Sequence, residues 1–112
     1  MTRVLLKLSG ESFANPNTNF GIDPKVIERI ASEITNANNE NIQIGVVVGG
    51  GNFFRGVQES AKNMAQANAD YMGMLATVIN AVALKDGLDK NGTQTRVQSA
   101  ITMTSVAEPY IR

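Results

Sequence analysis

Lys7 interrupts an otherwise apolar run, Val4-Leu5-Leu6-Lys7-Leu8, which stops at Ser9-Gly10. A cation rooted near the end of a strand can reach a phosphoryl group and stabilise the charge spread over it during transfer. An edge-strand lysine, or one whose stem lies on apolar surface while its head stays in water, fits the same pattern. A second run, Ile42-Gln43-Ile44-Gly45-Val46-Val47-Val48, leads directly into Gly49-Gly50-Gly51-Asn52. Successive backbone N–H groups in such a turn can cradle an anion. A tight strand exit would need glycine as well. Arg55, just after this turn, could grip phosphate or stand solvated. Asp70 could accept hydrogen bonds from ribose hydroxyls, or could serve as an acid near a helix N-terminus.

Two common phosphate motifs do not fit. The dinucleotide fingerprint from Gly49 needs glycine where Phe54 stands. The P-loop spacing begins at Gly51 and Gly56 but finds Val57-Gln58 where Lys and Ser/Thr are required. A phosphate loop here would belong to another class.

Composition narrows the chemistry. The 112 residues include no cysteine and no histidine, which removes thiol nucleophiles, Ser-His-Asp triads and the usual zinc sites. Lys+Arg and Asp+Glu both number 10, so a broad nucleic-acid footprint, which needs a clustered basic excess, is not expected. No apolar run approaches the length that spans a bilayer, and Met1-Thr2-Arg3-Val4 lacks signal-peptide anatomy, which implies a cytoplasmic protein with no membrane partner.

The elements that must position these residues follow from patterning. Residues 4–8 read as a buried strand without clean alternation, suited to a parallel strand covered on both faces. Residues 12–19 read as loop. Asp23-Pro24 is a helix start, and Val26, Ile27, Ile30, Ile34 and Ala37 recur at helical spacing after it. Residues 42–48 are the clearest strand, rich in β-branched side chains. Residues 68–90 predict a long helix with Met72, Leu75, Ala76, Ile79 and Ala83 as one stripe and Met74, Val78 and Val82 beside it. A helix apolar over most of its girth lies deep in a core or against a partner. Asn91-Gly92 stops it, residues 95–100 predict a third strand, and Glu108-Pro109 marks a break. This alternation implies an α/β fold with a parallel sheet, whose ligand site lies beyond the carboxyl ends of the strands.

Four blocks together resemble the bacterial uridylate (UMP) kinases of the amino-acid kinase superfamily. They are Leu6-Lys7-Leu8-Ser9-Gly10-Glu11, Phe20-Gly21-Ile22-Asp23, Gly45 through Gly56, and Asp70-Tyr71-Met72-Gly73-Met74-Leu75-Ala76-Thr77. The last block separates UMP kinases from relatives that share the lysine strand and glycine turns. The resemblance implies a three-layer parallel-sheet sandwich and transfer of phosphate from ATP to UMP in pyrimidine nucleotide biosynthesis, with magnesium held through the ATP phosphates. It implies that Lys7 is catalytic and that Lys7, Leu8, Ser9, Gly10, Gly51 and Arg55 meet the ATP phosphates. It gives Gly50 and Asp70 to UMP, and Lys85 and Arg96 to an effector such as GTP. It implies a homohexamer built from dimers.

Family members are longer. Residues 1–112 therefore correspond to the N-terminal, UMP-binding and dimer-forming part of the domain, without the C-terminal ATP-binding part, and the chain alone is expected to lack turnover. Two other readings stay open. One is a nucleotide-binding or regulatory module without catalysis. The other is a related kinase acting on a carboxylate or carbamate.

Overall fold

A computed structural model describes residues 2–53, 64–99 and 108–110. Strand β1 (Thr2–Leu8) and strand β2 (Ile42–Val48) run parallel, with Lys7 opposite Val47 and Leu8 opposite Val48. Helix α1 (Pro24–Asn38) joins them. The predicted Asp23 cap is present, its carboxylate accepting from the Lys25 amide at 3.0 Å. Such a cap is worth about 1 kcal/mol. Val26, Ile27, Ile30 and Ile34 face inward as their spacing predicts, while Lys25, Glu28, Arg29 and Glu33 are exposed.

Helix α2 (Gln66–Lys90) packs beside α1. Its inner row is Ala76, Asn80, Leu84 and Leu88, at four-residue spacing. The predicted pattern holds at Ala76 and Val78, which are buried, and is corrected elsewhere. Ile79 is exposed, as are Tyr71, Met74 and Val82. The helix is apolar nearly all round, so periodicity does not select a face, and the true inner row contains a polar residue.

Leu6, Leu8, Ile44, Val46 and Val48 project from one face of the sheet into a cluster with Phe13, Ile27, Ile30, Ala31, Leu84 and Leu88. Full burial of a large apolar side chain, as at Phe13, Ile27, Ile30, Leu84 and Leu88, stabilises by roughly 1.5–3 kcal/mol each. Phe13 is fully buried and belongs to a 3-10 turn, Gly10–Phe13, that the loop reading of residues 12–19 misses. The opposite face of the sheet is open among the described residues, with Leu5 75 % and Val47 50 % exposed. The α/β class and the parallel sheet are as expected. Among the described residues, both long helices lie against one side of the sheet.

The third strand also differs. Within residues 95–100, β3 is Gln98–Ser99, and it pairs in parallel with β4, Glu108–Pro109, rather than joining β1 and β2. Glu108-Pro109 thus forms a short strand where a break is expected. The Pro109 nitrogen has no hydrogen to donate, which confines it to an edge. Among the described residues, no helix is long and apolar enough to cross a membrane.

Candidate functional site

Parallel pairing places the carboxyl ends of β1 and β2 side by side, so the two turns that leave them must meet. The Gly49 amide donates to Leu8 O at 2.9 Å, extending the ladder one step into the turn. A β-carbon on Gly10 would overlap the Gly51 nitrogen and lie 2.7 Å from the Gly50 carbonyl carbon. One on Gly49 would lie 3.1 Å from the Gly10 nitrogen. The two turns are therefore in backbone-to-backbone contact, an approach open only to glycine. Lys7 stands one register position before the last strand pair, Leu8–Val48, exposed, on the open face of the sheet.

Helix α2 closes the junction from the side. A β-carbon on Gly50 would meet Ala76 Cβ at 2.7 Å, Gly73 O at 3.1 Å and Thr77 N at 3.2 Å. Asp70 lies on the same helix, less than one turn before Gly73. It is exposed and accepts from Gln66 Nε2 at 2.8 Å. Lys7, Leu8, Ser9, Gly10, Gly50 and Gly51 thus share one end of the sheet, with Asp70 on the helix that abuts it. Arg55 lies outside the described residues.

Two residues that the sequence reading passes over hold this region together. Asn52 and Asn80 are both fully buried. Asn52 Nδ2 donates to Asn80 Oδ1 at 2.9 Å, and Asn80 Nδ2 donates to Asn52 Oδ1 at 2.7 Å. The second hydrogen of each amide goes to the backbone, from Asn52 to Gly21 O and from Asn80 to Gly49 O, both at 2.8 Å. The Gly21 amide returns a bond to Asn52 O at 3.0 Å, and the Phe20 and Phe53 rings meet edge to face at 5.8 Å. The sequence signal for this pair is an asparagine in the middle of an apolar helix, where burial demands a polar partner.

Lys85 and Arg96 are elsewhere. Lys85 is nine residues beyond Ala76, roughly 14 Å along the helix. It pairs with Asp89 at 2.6 Å. Arg96 forms a two-pronged pair with Glu108, Nε to Oε2 at 2.8 Å and Nη2 to Oε1. The hydrogen bond to Arg96 draws the Glu108 carboxyl below its ordinary range, and the same bond raises Arg96. Both cations line a groove of about 520 Å³ along the edge of β2 that has no strand partner among the described residues.

Residues 2–110 match the profile of the Amino acid kinase family. The fold is similar to the crystal structure of UMP kinase from Bacillus anthracis, with a TM-score of 0.87 and 38% identity over 98% of this chain and 45% of that one. It is similar as well to UMP kinase from Ureaplasma parvum, with a TM-score of 0.87 and 30% identity over 99% of this chain and 48% of that one. The chain spans less than half the length of either. With its two abutting glycine turns and its parallel β1–β2 pair, the chain belongs to the amino acid kinase family.

Proposed function

We propose that the protein acts as a nucleoside-monophosphate kinase, transferring a phosphoryl group from ATP with magnesium to UMP and releasing ADP and UDP. The observation that carries this reading is the junction of two glycine turns at the carboxyl ends of adjacent parallel strands, with Lys7 two register positions before Gly49. Likeness to two UMP kinases supports the choice of acceptor.

In this reading the bond from the γ-phosphorus to its bridging oxygen breaks as a UMP phosphate oxygen bonds to that phosphorus. The leaving oxygen stays with ADP. The chain aligns the two nucleotides and neutralises charge, which is most of what phosphoryl transfer asks of a protein. Amides of the Ser9-Gly10 turn and Gly51 hold ATP phosphates, with Leu8 and Arg55 beside them. Lys7 spans toward the group in transfer. Gly50 keeps the turn low enough for UMP to approach, and Asp70 accepts from its ribose. Magnesium enters with the ATP phosphates. Among the described residues no group of three or more acidic side chains forms a cage for it, and magnesium bound through substrate phosphates needs few protein ligands.

The exposed apolar side of α2, with Tyr71, Met74, Ile79 and Val82, suits contact with a second copy in a dimer-based hexamer. Lys85 and Arg96 form an effector site for GTP, and the protein works in the cytoplasm.

The test uses the whole natural polypeptide that carries these residues, with UMP, ATP and magnesium, following ADP. Lys7→Met is expected to lower kcat by roughly 10²–10³. An unchanged kcat contradicts the role given to Lys7. Turnover with a carboxylate or carbamate in place of UMP contradicts the acceptor, and saturable nucleotide binding without any turnover favours a binding module.

A further inference from the structure

We propose that Asn52 and Asn80 are a positioning pair that aims the glycine turn at the phosphoryl group; the proposal rests on the kinase reading above. Neither residue reaches solvent, so neither can touch a substrate directly. Their effect passes through the backbone they hold.

The pair is fully committed. All four side-chain N–H donors are used, two between the amides and one each to Gly49 O and Gly21 O. Gly49 is the first residue of the turn, and its amide is already held by Leu8 O. With its carbonyl held by Asn80, the Gly49 peptide is pinned on both sides. That leaves the following amides little freedom to rotate. Asn52 Oδ1 also lies 2.8 Å from where a β-carbon on Gly10 would be, so the pair sits directly against the meeting of the two turns. Asn80 stands on α2 one turn after Ala76, the residue that touches Gly50, and ten residues after Asp70. One buried amide pair therefore ties the phosphate-facing turn, the 20–23 loop and the helix that carries the proposed ribose contact.

Leucine would share the branched heavy-atom skeleton of asparagine while being larger and carrying no polar atom. The carbonyl oxygens of Gly49 and Gly21, both part-buried, would then lose these side-chain donors. An aspartate would be worse, presenting an oxygen to each of them. Placement of reacting groups tolerates little error, and a displacement near 1 Å can cost on the order of 10²-fold in rate.

The experiment measures steady-state kinetics and thermal unfolding of the whole polypeptide carrying Asn80→Ser, Asn52→Ser, the double change, and Thr35→Val. Thr35→Val is the control, since it removes a part-buried hydrogen bond with Thr93 Oγ1 (2.8 Å) outside the site. The expected result is a fall in kcat of roughly 10–100-fold for each asparagine change, with kcat/KM falling in step. The double change should cost no more than the worse single one, because the two act as a unit. Thr35→Val should lower the midpoint of unfolding and leave kcat alone.

Asparagine variants that lose stability yet keep kcat within twofold of the parent would overturn the proposal. If an asparagine variant does not fold, amide shifts of Gly49, Gly50 and Gly51 in the other variant decide. Shifts at the turn in that variant, absent in Thr35→Val, support positioning, and their absence overturns it. A parent protein inactive toward UMP would sink the kinase reading, while these amide shifts would still decide whether the pair sets the turn.

Discussion

Gly10 leaves no space for even a methyl group, since a β-carbon there would strike the backbone of Gly50 and Gly51. Backbone cannot swing aside as a flexible side chain can. Gly10→Ala is therefore expected to destabilise the protein by about 1–3 kcal/mol, read from denaturant unfolding. A change below a few tenths of that would mean the turns do not touch. At this scale the sequence is partly legible. Glycines after two strands announce turns, and a lysine before one of them announces a candidate cation. Contact between the turns is not legible, because it depends on strand register. Asn52 and Asn80 are harder still. They are 28 residues apart in sequence, and nothing in either neighbourhood names the other as partner.

The β3–β4 pair is the smallest element, and the Arg96–Glu108 side-chain pair braces it. Arg96 on the β3 side grips Glu108 in β4, and the Glu108 amide donates to Val97 O at 2.8 Å. Arg96 holds the Glu108 carboxyl below its ordinary range, first through the hydrogen bond. A carboxyl lowered in the folded state stabilises it above the unfolded pKa and loses that contribution as pH falls through the folded value. Arg96 is shifted upward, so its side of the pair persists throughout the acidic and neutral range. Hydrogen exchange at the Glu108 and Tyr110 amides, corrected for intrinsic rate, should quicken as pH falls below the usual carboxylate range. Glu108→Gln should show that faster exchange already at neutral pH. Both groups are exposed, so salt should weaken the brace as well. Exchange independent of pH, salt and substitution would contradict this account. Elements with strong local signals are legible, as α1 shows through its cap and spacing and β2 through its β-branched run. The inward face of α2 is not, because its apolar residues encircle the helix. The two-residue β3 and β4 are not, because pairing that short comes from tertiary contacts rather than propensity.

For the molecule as a whole, the order of strands and helices is enough to foresee a parallel sheet and to bring the candidate residues to its carboxyl edge. The cover of the sheet is less legible. A continuous apolar run suggests two covered faces, whereas the described residues pack only one and leave Leu5 and Val47 exposed. The chain spans 45% and 48% of the two UMP kinases, and the proposed kinase reading rests on the junction of its turns. The most direct test is a crystal structure of the whole polypeptide with UMP and a non-hydrolysable ATP analogue. The account predicts the terminal phosphoryl group within about 2.7–3.2 Å of Lys7 Nζ and of amides in both glycine turns. Phosphates seated elsewhere, such as in the groove beside Lys85 and Arg96, with Lys7 left in solvent, would contradict it.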